Sequence, residues 1–218
     1  MFDITLTFDN GPDPNVTPMV FDILKREEIK ATFFVLGHKL ADDPACLALA
    51  HRARAEGHWV GNHTYTHAVP LGTMADQAAS VAEIDQTQTL LDGLVGDEKL
   101  FRPFGGGGAL GNHLLSAEAL ARLEGAKFTC VLWNVVPRDW EDPDAWPETA
   151  MQMIADQTWP LVVLHDLPTG AMAHLGRFID MVRAAGGHFR QDFPADCVPL
   201  RRGVQVKPMA PYVTTGGR

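Results

Sequence analysis

Four short segments of this chain carry groups able to move protons or hold a metal ion, and each lies at or just beyond the end of an apolar run. The first is "ITLTFDNGPDP", residues 4–14, where the apolar run stops at Asp9 and Asn10. A carboxylate and an amide there suit a site, although Asp-Asn-Gly-Pro is also good turn chemistry. In "HTYTH", His63 and His67 stand four apart. On a helical turn, two imidazoles at that spacing share a face and bind one divalent ion. With nine histidines in 218 residues such a pair also arises by chance, so its place after a strand-like run is what gives it weight. His165 closes "LVVLH". It is either a satisfied core histidine or a proton-transfer group, because imidazole is the side chain most easily tuned near neutral pH. Asp139, in "VPRDW", is a candidate to orient and charge that imidazole; the plainer alternatives are a turn cap or a partner for Arg138.

Two further stretches are less specific. "GGGG" at 105–108 lacks the Lys-Ser/Thr of a phosphate loop and the spacing of a dinucleotide fingerprint. Its better use is close approach of backbone N–H groups to a ligand. Trp140 reads as a wall for a sugar ring and Trp133 as core.

Something must bring these groups together. Short apolar runs predict strands at Ile4–Phe8, Ala31–Leu36, His58–Asn62, Leu100–Arg102, Lys127–Asn134, Leu161–His165 and His188–Asp192. Helical periods fall between them, at Thr17–Glu28, Pro44–Glu56, Thr73–Leu94, Ser116–Glu124, Pro147–Gln157 and Met172–Ala185, several ending at glycine. That alternation predicts an α/β fold with a parallel sheet, and a closed or nearly closed β/α barrel fits better than an open sheet. In such folds functional groups gather at the carboxyl ends of strands. Residues 1–200 read as one domain, and the Gly/Pro-rich stretch 201–218 as a loosely packed tail.

Composition narrows the setting. At 46% hydrophobic residues the chain can bury one sizeable core, and its net charge of −9 argues against a nucleic-acid partner. Cys46, Cys130 and Cys197 are odd in number and lack metal-type spacing, which predicts buried thiols in a reducing compartment. No signal peptide is visible and no apolar stretch approaches the ~20 residues of a membrane span, so the expected location is the cytoplasm.

Taken together, the segments resemble the polysaccharide deacetylase family, the NodB-homology domain of carbohydrate esterase family four. Its blocks run T-F-D-D-G-P, H-[ST]-x-x-H, R-P-P-Y-G, D-x-x-D-W and L-x-L-H; here they stand as "TFDNGP" (7–12), "HTYTH" (63–67), "FRPFGG" (101–106), "VPRDW" (136–140) and "VVLH" (162–165). The resemblance implies a distorted (β/α)7 barrel and a metal-dependent N- or O-deacetylase acting on an acetylated carbohydrate or a small acylated substrate. It implies Asp9 as general base tethered by Arg102, and His165 as general acid oriented by Asp139. It further implies a backbone N–H near Gly105 in the oxyanion hole, Phe104 and Trp140 against substrate, and Asn10, His63 and His67 as ligands of a divalent metal, zinc by preference and cobalt as an alternative. Three positions depart from the pattern. Asn10 replaces an Asp ligand, which predicts weaker metal binding and a more acidic bound water. Phe104 and Gly105 replace Pro and Tyr, which predicts an opened groove. Val136 replaces the first Asp of the fourth block, with no function to assign. Relatives that hydrolyse non-sugar amides or cyclic imides and ureides keep that activity open, and Asn10 keeps open a carbohydrate binder of weakened catalysis.

Overall fold

The fold is a computed structural model that describes residues 1–96 and 98–214. β1 (Phe2–Asp9) lies at the centre of a sheet, followed on one side by β2 (Thr32–Val35), β3 (Trp59–Asn62), β4 (Lys99–Phe101) and β5 (Phe128–Cys130), all parallel. β6 (Leu161–His165) pairs with the other side of β1, and β7 (Gly187–Arg190) with residues Phe2–Thr5 of β1. Helices α1 (Thr17–Arg26), α2 (Gly37–Asp42), α3 (Pro44–Ala55), α4 (Gln77–Leu91), α5 (Ala117–Gly125), α6 (Trp146–Ile154) and α7 (Leu175–Ala184) alternate with the strands.

β1 shows how the sequence makes this layering. It is buried on both faces from Ile4 onward, as a covered parallel sheet requires. Ile4, Leu6 and Phe8 pack with Val20, Phe21 and Leu24 of α1, whose 3–4 spacing forms one apolar stripe. Each such side chain contributes about 1.5–3 kcal/mol by leaving water. The alternate residues Thr5, Thr7 and Asp9 take the opposite face. They are buried there as polar groups, so each needs a partner, and Thr7 Oγ1 finds one in the Val162 carbonyl at 2.8 Å.

After Cys130 the chain leaves strand geometry, so the strand expected over 127–134 is short. The fifth strand is cut there because Val131–Leu132 turn their carbonyls to an arginine side chain instead of a ladder. Closure comes a few residues later. Val135 bridges Val162 of β6, and the Asn134 amide acts as an extra rung, accepting from Leu161 N–H at 2.7 Å and donating to the Trp159 carbonyl at 3.2 Å. The result is the distorted (β/α)7 barrel that the sequence implies.

Other boundaries follow local chemistry. The helix expected from Thr73 begins at Gln77 because Asp76 caps it, accepting from Ala78 and Ala79 N–H. The short helix α2 has no counterpart among the expected elements. Residues 200–214, where composition predicts loose packing, are tied down. β8 (Leu200–Arg201) pairs antiparallel with β5 and with β9 (Val204–Gln205), Met209 is buried, and Thr214 Oγ1 donates to the Gly72 carbonyl at 2.7 Å. The remainder of that tail, 215–218, lies outside the described residues. The three cysteines are free and buried, and among the described residues no helix is long and apolar enough to cross a membrane.

Candidate active site

The register of β1 against β6 sets Asp9 directly beside His165, both at the carboxyl ends of their strands. Around them opens a cavity of about 250 Å3, lined also by Asn10, His63, His67, Phe104, Gly105–Gly108 and Trp140. Arg102 and Asp139 stand behind it, each fully buried. The structure thus gathers every candidate site residue at one end of the barrel.

Arg102 is fully buried. Its Nη1 donates to Asp9 Oδ1 at 2.8 Å and to Thr7 Oγ1 at 2.7 Å, while Nε and Nη2 reach the carbonyls of Val131 and Leu132. The guanidinium also lies over the Phe34 ring, 4.1 Å from its centroid. A buried charge with its donors satisfied and its counter-ion in contact is tolerable, whereas either partner alone is not.

His63 is fixed by its main-chain neighbour. The Arg102 carbonyl can only accept, so His63 Nδ1 carries the proton that bridges them at 2.8 Å. Burial pushes the imidazole down to about 3, so it is neutral at ordinary pH and Nε2 presents a lone pair. That lone pair faces Asp9 Oδ2 at 3.5 Å. Two acceptors stand opposite each other with no proton between them, so the contact is not an ion pair. Asn10 Oδ1 adds a third electron-rich atom, buried without a hydrogen-bond partner among the described residues. His67 completes the group. Burial, with His63 adding to it, pushes its imidazole down to about 2. Its ring lies 4.8 Å from that of His63 and 3.8 Å from that of Phe104, centroid to centroid. No cluster of three or more His, Cys, Asp or Glu arranged for an ion is present among the described residues. The third donor here is an amide oxygen, and this set of lone pairs fits a divalent cation.

Across the cavity the second pair is built differently. Asp139 accepts from both the main-chain N–H and Nδ1 of His165, at 2.9 and 2.8 Å, which locks the ring and leaves Nε2 for the cavity. Burial acts to lower the His165 pKa, but the hydrogen bond and charge of Asp139, backed by Asp9 and Asp166, outweigh it and hold it above the ordinary value. Trp140 meets this ring edge-on, centroids 4.8 Å apart.

Two expectations change. The groove is not simply opened by Gly105: a Cβ there would fall 2.6 Å from Trp133 Cζ2, so the Trp133 indole fills the space a side chain would take. Trp133, expected in the core, is therefore both core and cavity lining. Phe104 lines the cavity but spends a ring face on His67. Val136 packs beside Gly108, whose Cβ would fall 3.0 Å from Val136 Cγ1.

Several supporting residues were not among the expected site residues. Glu83 of α4 receives the N–H groups of Tyr65 and Thr66 and the Thr66 hydroxyl, at 2.7–2.9 Å, and so holds the "HTYTH" loop in which Thr64 and His67 adopt positive φ. Asp166 accepts from Thr17 and lies against Gly11, where a Cβ would fall 2.2 Å from Oδ1; glycine is required there. Burial pushes Asp166 up to about 7.

A family model described as polysaccharide deacetylase matches residues 2–124. The chain belongs to the polysaccharide deacetylase family. Among relatives, it is 34% identical over 166 residues to a chitooligosaccharide deacetylase of Rhizobium leguminosarum bv. trifolii, covering 75% of this chain and 71% of that one. It is 31% identical over 194 residues to a peptidoglycan-N-acetylglucosamine deacetylase of Bacillus cereus, covering 86% of this chain and 66% of the relative. In structure it resembles a family 4 carbohydrate esterase from Streptomyces lividans in complex with acetate, at a TM-score of 0.72 and 27% identity over 95% of this chain and 98% of that one. The matched family segment holds Asp9, His63, His67 and Arg102; Asp139 and His165 of this polysaccharide deacetylase family member lie beyond it.

Proposed function

We propose that this chain removes the acetyl group from an N- or O-acetylated sugar, with Asp9 as general base, His165 as general acid and a divalent metal, zinc or cobalt, held by Asn10, His63 and His67. The observation that carries the reading is the gathering of three lone-pair-bearing atoms, Asn10 Oδ1, His63 Nε2 and Asp9 Oδ2, across one cavity from a His165 ring held at Nδ1 by Asp139. The bound cation would supply Lewis acidity to the substrate carbonyl and the attacking water.

The chain's own groups do the rest. Asp9, held in place by Arg102, takes the proton of the attacking water. The N–H of Gly105 donates to the developing oxyanion, an interaction typically worth about 3–4 kcal/mol per donor. His165, carrying a proton at Nε2 and held by Asp139, gives it to the departing nitrogen or oxygen. Trp140 and Phe104 shape the site around the sugar, and acetate leaves. The relatives' acetylated substrates and the acetate in the Streptomyces esterase support this reading. The free thiols are in keeping with a reducing compartment such as the cytoplasm.

The test is release of acetate from an acetylated chito-oligosaccharide with added Zn2+ or Co2+, abolished by His63→Ala. A second reading, a glycan binder without turnover, is favoured by Asn10, since a neutral amide holds metal less tightly than a carboxylate. It predicts oligosaccharide binding with no acetate at saturating metal.

A further inference from the structure

One wall of the cavity has no side chains. Gly105–Gly108 line it with main chain alone, and Gly106, Gly107 and Gly108 adopt φ of 58°, 99° and 92°. Ordering glycine costs about 0.5–1 kcal/mol more per residue than ordering alanine, so this wall has no intrinsic rigidity. An oxyanion donor is useful only if it is already in place when charge develops.

Two side chains tie the wall, one at each end. Trp133 Nε1–H donates to the Gly108 carbonyl at 2.8 Å. His113 Nε2 lies 3.2 Å from the Gly105 carbonyl and, facing an acceptor, carries the proton. His113 comes from the turn Asn112–Leu114 and does not line the cavity. Its seat is made by Gly111, where a Cβ would fall 2.9 Å from His113 Nδ1. The φ of Gly111 is 178°, ordinary extended backbone, so glycine is needed there for room and not for conformation.

We propose that His113 is a positioning residue that, together with Trp133, pins the two ends of the glycine wall and holds its N–H groups ready for the oxyanion. The catalytic half of this inference rests on the deacetylase reading; the pinning does not. His113→Ala should lower kcat about tenfold and leave KM within about twofold, because only a transition-state interaction is loosened. His113→Gln, whose amide N–H can reach the same carbonyl, should recover most of the loss. Amide exchange at Gly105–Gly108 should quicken in His113→Ala and return to normal in His113→Gln. Should His113→Ala fail to fold, Gly111→Ala, which crowds the ring from its seat, should give the same kinetics and exchange. Unchanged exchange, a defect confined to KM, or a Gln variant as impaired as Ala would overturn the proposal. Quickened exchange in a protein that releases no acetate would uphold the pinning and overturn the deacetylase reading.

Discussion

The two sides of the cleft are ordered by opposite means. On the strand side, order comes from charge: Asp9 on Arg102 and His165 on Asp139 are buried pairs whose hydrogen bonds run into the sheet. On the loop side it comes from the absence of side chains, with main chain laid against the Trp133 indole and tied at two carbonyls. The first arrangement is strong but brittle, because removing one partner strands a charge in a nonpolar setting. The second is weak per contact but tolerant, because each tie is a single neutral hydrogen bond, worth about 0.5–1.5 kcal/mol.

That contrast can be broken from the strand side first. Arg102→Met should be the most damaging change, leaving Asp9 buried and unpaired. It should cost about 3–5 kcal/mol in denaturant unfolding and abolish acetate release. If Arg102→Met unfolds at the wild-type midpoint, the charge account of this side is wrong. Asp139→Asn comes next. It removes the group that raises the His165 pKa, so kcat should fall by up to about 10²-fold and the alkaline limb of the pH–rate profile should move to lower pH. The sign for stability follows from the raised folded pKa. The pair's contribution is full below the ordinary value of 6.5 and is lost as pH rises through the folded pKa, so wild type and variant should converge in stability at alkaline pH. Asn10→Asp should tighten metal binding by roughly tenfold or more in calorimetric titration, since it adds a full negative charge beside the cation. An unchanged affinity would remove Asn10 from the ligand set. The smallest effect belongs to the loop side. Gly105→Ala presses a methyl group into Trp133 and should cost about 1 kcal/mol of stability, with loss of tryptophan fluorescence constancy as its marker.

The strand side was legible in the sequence because its groups sit at or just beyond the ends of short apolar runs. "ITLTFD" alternates apolar and polar residues, so the last polar one, Asp9, had to share a face with Thr5 and Thr7. Apolar runs ending in polar groups likewise placed His63, Arg102 and His165 at strand ends. The loop side was opaque because its determinants act through main-chain carbonyls, which leave no residue-type pattern. His113 and Glu83 look like ordinary surface polar residues until their partners are seen. The shortened fifth strand was hidden for a related reason: Val131 and Leu132 remain apolar, and only the arginine that claims their carbonyls breaks the ladder. Docking of residues 200–214 was missed because a Gly/Pro-rich composition says nothing of an edge of β5 left open for pairing.

The amide of Asn134 has a consequence of its own. Where β6 meets the chain beyond β5, the Asn134 amide adds two hydrogen bonds to the two that the Val135 peptide makes with Leu161 and Val163, so a side chain carries half of the stitching there. Loss of that amide would loosen the wall along that line, and His165 hangs on one lip while Asp139 follows the other. The proton donor and its anchor would then separate together with the seam, making one asparagine outside the cavity lining the fastener of the acid.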